Sequence, residues 1–168
     1  KIVQADDLID PLHLEEMVRV MDKYPTTGMC SSYRIDGKDV NCDGLDIFEG
    51  EFYNGKEMLI RHLNREIDIT GSMTTLLFRI KYLKQLPGYP AVLDEDDFHC
   101  DHQLAFDVMN ISDVGFAFKI LSYTRWHEEA YTSRFCVKYN TFLNSKEIIL
   151  FKFQDLDLKF KKEYKRTR

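Results

Sequence analysis

No apolar run approaches the roughly twenty residues that a membrane-spanning helix needs, so a membrane span is excluded. Nor is there an excess of basic charge: 23 Lys and Arg against 28 Asp and Glu leave a formal charge of -5. That sign argues against a dedicated nucleic-acid binder. Internal repeats, low-complexity linkers and motifs that fix an activity on their own are also missing. The one basic concentration is the terminal run KFKKEYKRTR (159–168), which reads as a solvated tail. What is present is 168 residues, 44% hydrophobic and 13% aromatic, enough for one domain over 1–158 with a core of its own.

The first third carries helix signals. In DPLHLEEMVRVMDKYP (10–25), Asp10 can cap, Pro11 suits the first helical position, and Glu15 and Glu16 favour the positive end of the dipole. Leu12, Leu14, Met17, Val18 and Met21 give it an apolar side, and Pro25 stops it. A second helix follows Asn54-Gly55, with Met58, Leu59, Leu63 and Ile67 as its stripe. His62 lies on that helix without a ligand residue four positions away and reads as packing or surface. Segment 73–86 carries both periods: Leu76, Phe78, Ile80 and Tyr82 alternate, while Leu76, Ile80 and Leu83 fit a helix. A strand is expected there.

Between the helices, CSSYRIDGKDVNC (30–42) reads as a hairpin turning at Asp36-Gly37. Cys30 and Cys42 then become near cross-strand neighbours, and their polar surroundings favour a disulfide over two free thiols. The even count of four cysteines, the acceptor Asn110-Ile111-Ser112 and the start at Lys1 together point to a secreted chain, with a cytoplasmic one as the alternative.

From Phe98 onward the apolar residues alternate. Phe98, Cys100, His102, Leu104, Phe106 and Val108 share one face of an expected strand. Further strands are expected over Val114–Trp126, over Tyr131–Tyr139 and from Ile149 to Phe153. Asn110 then falls in a hairpin turn, where a glycan can be carried. The segment DEDDFHCDHQ (94–103) raises the question of a metal. On a strand, however, His99 and Asp101 point away from Cys100 and His102, so the expectation is no metal and no cofactor. Cys100 and Cys136 likewise fall on opposite faces and do not bridge without a bulge. His102, among apolar neighbours, is the one weak catalytic candidate.

The expected architecture is therefore α+β, a curved antiparallel sheet wrapped around N-terminal helices. The helix opening FYNGKEMLIRHL and the closing YNTFLNSKEIILFKFQDLD resemble the NTF2-like superfamily (nuclear transport factor 2, ketosteroid isomerase and relatives). The Lys146-Glu147-Ile148-Ile149 strand and the acidic end Asp155-Leu156-Asp157 carry the likeness, which spans residues 10–157. The cysteine hairpin and a strand at 73–86 depart from the family's pattern. The resemblance implies a cone with an apolar mouth and a sheet face that often dimerises, without implying an activity.

Three functions follow as expectations. The first is a non-catalytic module that binds a small apolar ligand or a protein partner. Its pocket would be lined by Phe106, Phe116, Phe118, Trp126, Tyr131, Phe135 and Phe151. The second is an isomerase or dehydratase-like enzyme with His102 as base. The third is an intracellular dimeric adaptor, pairing through an outer face that includes Ala117, Leu121, Tyr123 and Cys136.

Overall fold

The computed structural model describes residues 1–41, 44, 49–88, 99–128 and 147–159. The chain enters through a short strand, β1 (Leu8–Ile9), and turns at Asp10 into α1 (His13–Lys23). Asp10 Oδ1 accepts the Leu12 N–H at 2.8 Å in a turn ahead of the helix, but the N-cap is Leu12, so Asp10 is not the cap and Pro11 is not the first helical residue. The buried face differs from the expected stripe. His13, Met17, Val20 and Met21 face inward, whereas Leu12, Leu14 and Val18 are exposed.

β2 (Thr27–Asp36) and β3 (Asp39–Asn41) form the hairpin, with Asp36 paired to Asp39. The turn is Gly37-Lys38, one residue later than expected, because Gly37 supplies the positive φ of +67°. β4 (Phe52–Tyr53) leads into α2 (Gly55–Leu63), whose cap Asn54 accepts the Glu57 N–H at 3.1 Å. Segment 73–86 is not one strand. Its two overlapping periods are divided between β5 (Leu77–Phe78) and the single-turn helix α3 (Ile80–Leu83).

The largest correction concerns 98–108. Cys100–Ile111 is a helix, α4, with Gln103, Leu104, Ala105, Phe106, Val108 and Met109 all buried. A helix covered on most sides needs apolar residues nearly all round, so every second residue is apolar as well and mimics a strand. β6 (Asp113–Thr124) follows, rich in β-branched and aromatic residues, and is the expected strand stopping short of Trp126. Asn110 accordingly sits in the last turn of α4 rather than in a hairpin. Residues 147–152 form a fifth helix, α5, where a strand was expected. The strand expected over 131–139 lies outside the described residues, as do Cys42 and Cys136.

β2 and β6 lie side by side and parallel, with Cys30 beside Gly115 and Ser31 beside Phe116. β3 and β5 flank β2, and β1 and β4 flank β6, all antiparallel. Among the described residues the sheet is therefore mixed and six-stranded, with β2 and β6 parallel rather than in the expected antiparallel arrangement. The helices between β2 and β6 return the chain to the same end of the sheet, and that crossover permits the parallel pair. The chain is α+β, as expected.

Both faces of the sheet are covered. α1 packs Met17, Val20 and Met21 against Cys30, Leu77, Ala117 and Leu121. α2, α4 and α5 cover the other face through a larger cluster that includes Met29, Met58, Phe106, Phe116 and Ile149. Ala117 and Leu121, expected on a free dimer face, are thus buried beneath α1. Among the described residues no helix is long and apolar enough to cross a membrane.

Candidate functional site

Helical spacing changes what converges. On α4 the i, i+3 relation brings His99 and His102 onto one side, where strand parity had separated them. Their ring centroids lie 5.5 Å apart, and His102 stands 6.1 Å from His62, edge to face. His62 in turn lies 4.9 Å from the Phe106 ring. These four rings form one wall of a cavity of about 640 Å3 between the end of α2, the start of α4 and α5. Leu63, Ile67, Ile149 and Leu150 supply its apolar side, and Asp68, Glu66, Glu147 and Arg65 its charges.

An ion pair between a buried guanidinium and a half-buried carboxylate anchors the polar end. Arg34, on β2, is only 2% exposed and donates to Asp68 Oδ2 at 2.6 Å. Asp68 Oδ1 also accepts from Thr70 Oγ1 at 3.2 Å and from the Gly71 N–H at 3.1 Å. Gly71, at φ +55°, leaves the room: a Cβ there would lie 2.6 Å from the guanidinium. Burial alone would push the Asp68 carboxyl up. Arg34, then His62 and the Gly71 N–H, outweigh it and hold the group down at about 2. The carboxylate is thus charged at neutral pH, and His62 Nδ1 stands 3.8 Å from its Oδ1.

Two residues of this cavity carry backbone strain. Arg65 and His99, at φ +60° and +61°, are the only non-glycine residues in the left-handed region among those described. Each such residue costs on the order of 1–3 kcal/mol, and such strain collects at functional sites. His99 takes this conformation at the cap of α4, which turns its ring towards His102.

The expected aromatic bowl is not assembled. Phe106 lines the cavity, but Phe116 is fully buried in the core, edge to face with Tyr33 and Phe118. Phe118, Phe151 and Trp126 are exposed, Trp126 in a different cleft. Tyr131 and Phe135 lie outside the described residues. His102 does face the cavity, half-buried. Sequence reading missed His62, His99, Asp68 and Arg34 as a set. The signal available was the spacing of His99, His102 and Phe106 at i, i+3 and i+7.

Among the described residues Cys30 is a free thiol at the centre of the sheet, between Leu77 and Gly115; its expected partner Cys42 lies outside the described residues. Burial pushes the Cys30 thiol up to about 12, which makes it inert. Among the described residues no group of three His, Cys, Asp or Glu is placed to hold a metal ion. No protein-family model matches the chain, and no curated protein matches it.

Proposed function

We propose that the chain is a small-molecule-binding domain whose ligand sits in the histidine cavity with its apolar body on Leu63, Phe106 and Leu150. Its hydrogen-bonding end meets His62, His102 and Asp68. The observation that carries this reading is the convergence of three imidazoles, Arg65 and Asp68 on one cavity, with Arg65 and His99 in strained backbone and Asp68 paired to the buried Arg34. Its volume of about 640 Å3 falls in the ~300–1,000 Å3 range of ligand clefts. Membership of the NTF2-like superfamily is a fold-level part of this proposal, supported by helices laid on a sheet and set against a sheet that is mixed.

Anilinonaphthalene sulfonate, an apolar dye with one anionic end, tests it. The dye should bind one to one with a fluorescence rise that Leu150→Arg removes while the unfolding midpoint stays put. Equal binding by that variant would end the proposal.

A second reading has one observation in its favour: His102 opens on the cavity and is not sealed beneath Leu104, which is buried in the core. On that reading the same cavity performs isomerase or dehydratase-type proton transfer with His102 as base. Exchange of α-deuterons from cyclohexanone, followed by NMR, should then be catalysed by the protein and lost in His102→Ala. Exchange at the buffer rate refutes it.

A further inference from the structure

Trp126 is the chain's single tryptophan and lies 76% exposed just past the end of β6. It is nonetheless pinned. Its Nε1–H donates to Asp36 Oδ1 at 2.6 Å, across the β2–β3 turn. One face of the indole lies on Gly37, where an added Cβ would meet ring atoms Cγ and Cδ2 at 3.3 Å. Gly37 is itself held by donating its N–H to Thr124 O at 2.9 Å. The ring therefore has a fixed back and an open front. Single exposed apolar residues are ordinary on protein surfaces. A wide ring immobilised at its polar edge and on one face, yet kept in water, is a different case, because its ordering entropy is already spent.

The indole helps to line a cleft of about 340 Å3 with Asp6, Tyr123, Arg125 and His127. His127 Nε2 lies 2.9 Å from Asp6 Oδ2, and Arg125 Nε donates to the Asp6 carbonyl. The Arg125 backbone N–H is taken by the buried Asp7 at 3.3 Å, which fixes the strand end that carries both Arg125 and Trp126. The cleft thus presents an aromatic platform, a carboxylate acceptor, and guanidinium and phenol donors. The two permanent charges that line it, Asp6 and Arg125, cancel.

We propose that this cleft binds a saccharide, with the C–H face of one pyranose ring stacked on the open face of Trp126. The π face is electron-rich and attracts the weakly positive C–H hydrogens of the sugar. Hydroxyls around the ring both donate and accept, and Asp6, Arg125 and Tyr123 offer both roles within one cleft. A monocation would also be drawn to an indole face. Arg125 in the same cleft opposes it. The cleft sits at the small end of ligand sites, room for about one substituted sugar ring. It shares no lining residue with the histidine cavity, so the two proposals stand or fall separately.

The single tryptophan makes the test direct, because all indole emission comes from Trp126. Cellobiose, maltose, lactose and diacetylchitobiose are titrated against the full chain, with tetramethylammonium as the cationic probe. At least one disaccharide should change the emission saturably in the millimolar range. Tyr123→Ala and Arg125→Gln should each weaken that binding about tenfold, a loss of ~1.4 kcal/mol. Gly37→Ala, whose Cβ would stand 3.3 Å from the indole and push the platform by a few tenths of an ångström, should weaken it while the far-ultraviolet circular dichroism is unchanged. Silence from all four sugars, tighter binding of tetramethylammonium, or full binding by Tyr123→Ala and Gly37→Ala would each overturn the proposal.

Discussion

The two faces of the sheet are built from the same pair of strands and end up different. Under α1 the facing side chains Met17, Val20, Met21, Cys30, Leu77, Ala117 and Leu121 are all apolar, and the contact closes. Gly115 lets α1 settle closely, since a Cβ there would stand 2.9 Å from Val20 Cγ1. Its ion pairs lie at the rim, where Glu51 bridges Arg19 and Lys23, and His13 is a buried polar group of α1. Under α2, α4 and α5 the sheet presents Arg34, and the helices bring three histidines, so the layer stays hollow where these groups meet. Interiors close wherever apolar shapes allow it. A hollow lined by buried charge and strained backbone is maintained at a cost in stability, and that is where a ligand site belongs.

The contrast can be broken from either side. The largest effect belongs to Asp68→Ala, which strands Arg34 without a partner. It should lose ~3–4 kcal/mol by urea unfolding, the lower part of the ~3–5 kcal/mol expected for a fully buried pair, because Asp68 keeps 35% of its side chain exposed. The double variant Arg34→Met, Asp68→Leu should recover most of that loss, because the desolvation of Arg34 disappears with its charge. A loss below ~1 kcal/mol for the single variant would mean that Arg34 reaches water.

Next come paired truncations. Met17→Ala, on the α1 face, should cost ~3 kcal/mol, whereas Leu150→Ala, on the cavity wall, should cost only ~1 kcal/mol because its space is already open. Equal losses in thermal unfolding would erase the distinction between the faces.

The rim is smaller still. Glu51→Gln should cost ~1 kcal/mol or less, as a mostly surface network does. Arg19 and Lys23 hold the Glu51 carboxyl down at about 2, well below its ordinary 4.5. Its contribution is therefore full above pH ~4.5 and is lost as the pH falls towards 2. Asp68 behaves alike from about 3.8 downward, so acid unfolding should sharpen over the same interval.

The smallest effect tests His13, buried on the α1 face with Nδ1 2.8 Å from Leu121 O. Burial pushes its pKa below 6.5, so the unfolded chain takes up the proton first. Stability should then fall as the pH drops below about 6.5, by a fraction of the ~1.4 kcal/mol per pH unit that one whole proton carries. His13→Asn should flatten that slope, measured by urea midpoints across the interval.

Much of the fold was legible locally. α1, α2, the β2–β3 hairpin and most of β6 follow from caps, turn dipeptides and β-branched runs that act over a few residues. α4 was not, because Leu104, Ala105, Phe106, Val108 and Met109 are buried on several sides and satisfy both periods. That one ambiguity propagated. Read as a strand, the segment turned His99 from His102, spread Phe106 and Phe116 into one bowl, and required an antiparallel neighbour. The ion pair was beyond sequence reading for another reason: Arg34 and Asp68 are 34 residues apart and meet only in the folded chain, where Gly71 leaves room for the guanidinium.

The parallel pair at the centre has a bearing on assembly. Met29 meets Val114 and Ser31 meets Phe116, so neither long strand finds its neighbour until the intervening stretch, with α2 and α4 in it, has been made and folded back. Such remote partners make closure slow, and a nascent chain ending before Asp113 would display β2 with an open edge. Early release from synthesis would thus leave a sticky fragment rather than a smaller working domain.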